Sequence, residues 1–272
     1  MKIEKLKSAN IAHIFKTLLK YISIKLQSHL AFRTDALFNL LRGFLETGFT
    51  FIFFEIIYRN VNSIAGWSKG EVFVLSGMVL LLQNIYATFT GTGAVMLSFI
   101  IRYGRLEKYL LRPFPTPLLI AFRNLNFHEI YRIFPNLFLI IYGFKISGVK
   151  FNPLFIIPAI LSFMLSYLIY LLMNFILSEL AFWFTEVNNL FWITYDFYEF
   201  AKYPEKIYKG IFRKIFITIL PFILLANYPT MILLGKTNFN FIIYQFILFT
   251  FFFLFSNILW KKGIKRYEGT TV

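Results

Sequence analysis

The sequence predicts an all-α membrane protein with six transmembrane helices, and three observations lead there. Of its 272 residues, 58% are hydrophobic and only 15% are charged. Mean hydropathy is +0.66, whereas a soluble domain of this size needs more polar surface. Several apolar runs approach or exceed the ~18–20 residues that cross a bilayer as a helix. None alternates polar and apolar residues as barrel strands do, so the spans are expected to be helices, which satisfy their own backbone hydrogen bonds.

Residues 1–35 carry Lys2, Lys5, Lys7, Lys16, Lys20, Lys25 and Arg33 against two acids, while Ile11, Ile14, Phe15, Leu18, Leu19 and Ile22 follow helical spacing. That pattern predicts an amphipathic helix in the cytoplasmic interface, with its lysines toward headgroups. The start lacks a small-residue cleavage pattern, so no removed signal peptide is expected. Span one is expected over 36–58. It holds Arg42 and Glu46 at i, i+4, where they can neutralise each other on one face. A polar loop from Arg59 to Lys69 leads to span two, about 71–101. Its polar interruption, Thr88 to Gly93, suits either a kink lining a pathway or close helix packing through small residues.

The next stretch, 102–113, is the most informative. Arg102, Arg105, Lys108 and Arg112 make it strongly basic, hence cytoplasmic, and Pro113, Pro115 and Pro117 end it. Lying between two long apolar regions, it is a handle on which something soluble can push. After a mixed stretch over 118–132, span three is expected over 130–148, followed by a turn at 145–152.

From Pro153 to about Phe200 charge is almost absent. The run suits two crossings joined near Met173-Asn174, with the fifth over 176–200. The alternative is one long fourth helix over 153–183, with 215–234 as the fifth crossing. The choice turns on 203–214, whose Lys206, Lys209, Arg213 and Lys214 favour the cytoplasm. The last span covers 240–260. The tail 261–272 opens with lysines after Trp260, which places it inside. Both readings give six spans with both ends in the cytoplasm.

Net charge is +15, which membrane topology explains, because the basic clusters flank apolar spans; nucleic-acid binding is not expected. With no cysteine there is no disulfide or thiolate metal site. His13, His29 and His128 lack metal-ligand spacing. No Gly-rich nucleotide loop, nucleophile elbow or paired-carboxylate motif occurs, so neither catalysis nor a bound cofactor is expected of this chain.

The pattern resembles the six-helix permease of type-2 ABC exporters, in a bacterial branch whose permeases are often encoded in pairs. Gly104, Leu106 and Tyr109-Leu110-Leu111-Arg112-Pro113 match its Gly-x-Leu-x-x-Tyr-Leu-Leu-Arg-Pro stretch after span two. Phe182-Trp183-Phe184 resembles its Phe-Trp signature. Tyr203-Pro204, Ile207-Tyr208, Leu220-Pro221 and Tyr228-Pro229 match its spaced prolines, and Trp260, Gly263 and Arg266-Tyr267 its ending. Glu268-Gly269 departs from the small residues usual there.

The resemblance implies a dimer with a homologous or identical permease in the bacterial cytoplasmic (inner) membrane, in contact with lipid. Each permease would bind a separate ABC ATPase subunit, which alone holds ATP and magnesium. The stretch 102–113 would be the coupling helix, with Arg105, Glu107, Lys108 and Arg112 as polar contacts to the ATPase and Leu106 and Leu110 as apolar anchors. Residues 10–30 would be the connecting helix. Residues 203–235 would be a re-entrant or interfacial segment on the outer side, a placement adopted here against the charge preference. The substrate path would lie at the dimer seam, lined by spans one, two and five. A rival reading, an autonomous carrier or channel, has only Arg42, Glu46, Glu129 and Glu186 as candidate intramembrane ligands. A membrane-embedded enzyme would lack catalytic groups.

Overall fold

The computed structural model describes Lys20, Ser23 and residues 33–112, 115–122, 125–237 and 239–267. The predicted amphipathic segment therefore lies outside the described residues except for Lys20, Ser23 and its last three positions, as do Pro113 and the end of the tail. Helices α1 (Arg33–Asn60), α2 (Lys69–Tyr86), α3 (Thr92–Arg102), α4 (Glu107–Leu110), α5 (Thr116–Ala121), α6 (Ile133–Ile146), α7 (Ile156–Glu179), α8 (Asn188–Glu199), α9 (Gly210–Thr218), α10 (Phe222–Leu233) and α11 (Asn240–Arg266) follow in order. Among the described residues no strand is present.

Helix α2 is the centre of the bundle. It is apolar nearly all round and buried nearly all round, as such a helix must be. Its start is fixed by a capping box, in which the Glu71 amide donates to Ser68 Oγ and the Ser68 amide donates to Glu71 Oε2 at 2.8 Å, satisfying two orphan donors. Gly70 and Gly143 let α2 and α6 approach backbone to backbone; a Cβ on Gly70 would lie 2.6 Å from the Gly143 carbonyl oxygen.

The polar interruption after α2 does not break the helix. Ala87–Gly91 form a π turn that runs into α3. The Asn126 amide donates to the Thr88 carbonyl at 2.8 Å, and the Thr88 hydroxyl donates to the Asn84 carbonyl at 2.6 Å. Close packing through a small residue, one of the two expectations for this stretch, is present here. The turn lines a hollow, and at Gly93 a Cβ would come within 2.2 Å of the Ala121 carbonyl oxygen.

Helix α1 leans on α2, α6 and the 3₁₀ turn Phe127–Arg132. Its buried face is Gly43, Thr47, Thr50 and Phe54, at helical spacing, while Leu37, Phe38, Leu41, Phe44, Leu45 and Phe49 point away from the chain. Helix α11 is likewise exposed over Ile243, Phe246, Ile247, Phe251 and Leu254. Both outer faces are as apolar as lipid.

One correction concerns the charge-poor run. No turn forms at Met173-Asn174; α7 passes straight through them and a 3₁₀ turn extends it to Phe182. The Asn174 amide donates back to the Tyr170 carbonyl at 2.9 Å, so its polar group is satisfied inside the helix. The fifth element is the short α8, and α9 and α10 form a pair bent by 81° at Pro221. The long fourth helix of one expectation is thus present, followed by a short α8 and a bent pair.

The chain that leads into the bent pair and the chain that leaves it lie toward the same end of the bundle. Ahead of the pair, the Tyr203 ring lies 5.7 Å from that of Phe54. After the pair, Lys236 pairs with Glu71 at 2.6 Å and sits 4.6 Å over the Trp67 ring. Its elbow, Thr218 to Leu220, lies beside Met173 and Ile176 of α7 and Leu248 and Phe252 of α11.

Among the described residues three helices are long and apolar enough to cross a membrane, 69–91, 153–182 and 240–266, and the bent pair makes a fourth if counted as one span. Predicted spans one, three and five correspond to α1, α6 and α8, of 28, 14 and 12 residues. At 1.5 Å per residue α6 and α8 are about 21 and 18 Å long, short of a ~30 Å hydrocarbon core.

Candidate functional site

The basic handle is an ordered loop-and-turn closed on both sides. Helix α3 ends on Gly104, at φ +64°, a conformation natural to glycine. The Gly104 amide donates to the Ile101 carbonyl and the Arg105 amide to the Ile100 carbonyl, the paired bonds of a Schellman ending. The single turn α4 follows, its inner side formed by Leu106 and Tyr109, both buried.

The outer side is what a partner would meet. Arg105, Glu107, Lys108, Leu110, Leu111 and Arg112 are exposed. The guanidinium carbons of Arg102 and Arg105 lie 5.8 and 5.9 Å from the exposed Tyr103 ring, and Lys108 lies over the ring of Tyr109. The surface is basic and apolar together, with Glu107 as its one acid. Leu106 needs a correction. It is fully buried, so it holds the segment to its own chain and offers no surface to a partner. Leu111, 81% exposed, is the apolar side chain that sequence reasoning passed over. On a single turn the leucine facing out is set by where the preceding helix ends, which composition does not reveal.

Sequence-distant pieces of the chain converge behind this segment. The Phe182 ring meets Trp183, Trp260 and Tyr267 at 6.0, 5.7 and 6.3 Å. Gly263 leaves the room, since a Cβ there would lie 2.2 Å from the Phe182 ring. The Leu106 amide donates to the Tyr267 phenolic oxygen at 3.0 Å. A second convergence lies in the bent pair. Asn227 of α10, wholly buried, accepts from the Glu205 amide at 2.9 Å and donates to the Ala201 and Tyr203 carbonyls. Nothing in the local sequence singled out Asn227.

Along α8 runs a groove. Two adjoining hollows of about 360 and 400 Å³ share Tyr86, Val95, Tyr170 and Tyr195. They lie where the π turn, α3, α7 and α8 meet. A third, separate hollow of about 580 Å³ lies between α1 and the end of α8, beside Phe53, Glu199, Lys202 and Tyr203. Tyr86 and Gln83 line the groove, and the Tyr86 hydroxyl and Gln83 amide nitrogen are buried without a hydrogen-bond partner among the described residues.

A charged triad borders the groove. The buried Arg132 donates through Nη2 to Glu46 of α1 and through Nη1 to Glu129. Beside it the Thr47 hydroxyl donates to the buried Asn136 at 2.9 Å. Glu46 therefore takes its ion-pair partner from across the bundle, and no Arg42–Glu46 pair forms among the described residues; Arg42 is exposed. Glu186 pairs with Arg102 at 2.9 Å. The three carboxylates expected as candidate ligands of an ion carrier, Glu46, Glu129 and Glu186, are thus each held by an arginine, in two separate places. Among the described residues no group of acidic or histidine side chains could hold a metal ion.

One more buried acid was not among the candidate intramembrane ligands. Glu179 is wholly buried at the end of α7 and accepts a hydrogen bond from the Ser256 hydroxyl of α11 at 2.8 Å.

Comparison with known proteins gives one match. Residues 44–271 match the family described as ABC-2 family transporter protein. No curated protein and no solved structure matches the chain.

Proposed function

We infer from a chain that belongs to the ABC-2 family of transporter proteins, and so is a membrane permease of an ABC transporter, that it works as one subunit of an ATP-driven exporter. The observation that carries this is the segment 103–112. Its basic and apolar surface is presented outward, while its inner side is fixed to the ends of α3 and α11. A separate ATPase subunit docks on Arg105, Glu107, Lys108, Leu110, Leu111 and Arg112, and its ATP-driven closure moves the turn as a lever. A second permease, identical or homologous, completes the membrane part. Cargo passes along the groove that the π turn and α8 line, as the bundle rocks between inward-open and outward-open arrangements.

Orientation follows from the same reading. The segment 103–112 and the C-terminal end of α11 face the cytoplasm of a bacterial cell, and the bent pair 203–235 enters from the outer face. That placement is supported by the common end of the bundle toward which the chain enters and leaves the pair. It accepts Lys206, Lys209 and Lys214 outside, against the usual charge bias, while Arg213 is paired with Glu205 at 3.1 Å and Lys236, just after the segment, with Glu71.

The chain has no native cysteine, so single cysteines report without background. With an impermeant thiol reagent on intact cells, Lys206→Cys is expected to label, and Lys108→Cys only after the cells are opened. Labelling of Lys108→Cys in intact cells would put the docking segment out of an ATPase's reach and overturn the reading. Protection of Lys206→Cys until opening would overturn only the outer hairpin.

A further inference from the structure

We propose that Tyr267 is the positioning residue that ties the coupling segment to the fourth and last spans, so that a push on 105–112 reaches α7 and α11 as well as α3. The proposal rests on the reading of 103–112 as the surface that a partner ATPase moves.

Beyond the packing of the buried Leu106 and Tyr109, two attachments of the segment stand out. One is covalent, through the Schellman ending of α3. The other is the hydrogen bond from the Leu106 amide to the Tyr267 hydroxyl oxygen, which joins positions 161 residues apart. No side chain of α4's own neighbourhood caps that turn, so Tyr267 supplies from a distance what a capping residue usually supplies locally.

The tyrosine is itself well held. Its ring stands edge-on to Phe182 at the end of α7, with an interplanar angle of 86°. Phe182 is also edge-on to Trp260 of α11, and Gly263 admits the ring between them. Packed aromatic side chains of this kind move as a block rather than deform. Displacement of Leu106 therefore pulls on Tyr267 and, through Phe182, on the ends of both helices. Without the hydroxyl, the covalent route into α3 and the packing of Leu106 and Tyr109 remain, and the hydrogen-bonded route into α7 and α11 is lost. Tyr267→Phe removes the oxygen and keeps the ring, which separates the link from the packing.

Two measurements test this. In the purified full-length chain, hydrogen exchange at the Leu106 amide is expected to be about fivefold to tenfold faster in Tyr267→Phe than in the parent protein, as loss of one hydrogen bond predicts. An unchanged rate would overturn the link. The second uses the chain captured with its ATPase from host membranes and carrying a single cysteine at Lys262, on the exposed side of α11. Adding ATP is expected to change the reactivity of that cysteine in the parent, and Tyr267→Phe is expected to reduce the change at least about fivefold. Tyr58→Phe loses a similar phenolic bond at the opposite end, to the Trp67 carbonyl at 2.8 Å, and is expected to respond as the parent does. A full response in Tyr267→Phe, or equal loss in Tyr58→Phe, would overturn the proposal alone. Failure of the parent to capture any ATPase would instead overturn the coupling reading beneath it.

Discussion

Arg132→Ala is expected to lower stability by about 3–5 kcal/mol, the range for removing one partner of a buried ion pair. The guanidinium lies between Glu46 of α1 and Glu129 of the 3₁₀ turn, with only 8% of its side chain exposed. Truncation leaves two carboxylates facing each other in a poorly solvated place, and both the missing attraction and their repulsion act against the fold. Arg132→Lys is expected to fall between alanine and parent, because an ammonium cannot fork to two carboxylates as a guanidinium does. Replacing all three members by neutral residues, Arg132→Met with Glu46→Gln and Glu129→Gln, is expected to recover most of the loss. Denaturant unfolding in one detergent, compared across the three variants, provides the check. A loss under about 1 kcal/mol for Arg132→Ala would mean that the triad is screened like a surface pair.

Gly70→Ala is the second large effect, and it comes from backbone rather than charge. The added Cβ would lie 2.4 Å from the Ser147 amide nitrogen and 2.6 Å from the Gly143 carbonyl oxygen. Neither atom can swing aside as a side-chain tip would, so α6 must move away from α2 along their whole contact. Overpacking of this sort costs about 1–3 kcal/mol, and more where backbone must shift. Gly48→Ala, on α1, is the matched control. Nothing lies within 4 Å of its Cβ position, and the gain in helix propensity is expected to stabilise by up to about 1 kcal/mol. The same unfolding assay reads both. Equal effects at the two positions would show that α2 and α6 do not approach as closely as their glycines allow.

How much of this was legible beforehand depended on whether the signal was local. The handle at 102–113 was plain, because basic residues and three prolines interrupt apolar sequence there and nowhere else so densely. The starts of α2 and α11, at Lys69 and Asn240, lie close to the expected 71 and 240, whereas the end of α7 matches only the alternative of one long helix over 153–183. Distant pairings were not legible. Arg42 is one turn from Glu46 and seemed its natural partner by spacing, whereas Arg132 approaches it only because α1 packs on the turn before α6. Tyr267 and Leu106 meet for the same reason. At Met173-Asn174 the expectation of a turn came from the length of the run, and α7 simply uses that length as one long helix. The π turn was visible as a polar interruption, but whether a chain breaks or bulges there depends on who takes its freed carbonyls, and Asn126 does so from 38 positions along the chain.

The most direct test of the account is a cross-link from the coupling surface. Single cysteines at Lys108 and Leu111, with Leu154→Cys at the opposite end as control, would carry a thiol-attached photoreactive group in host membranes, and the adducts would be sequenced. The account predicts that positions 108 and 111 capture a protein with a Gly-rich nucleotide-binding loop, and that position 154 does not. ATP turnover by the purified chain alone, or capture of no such ATPase at either coupling position, would contradict it.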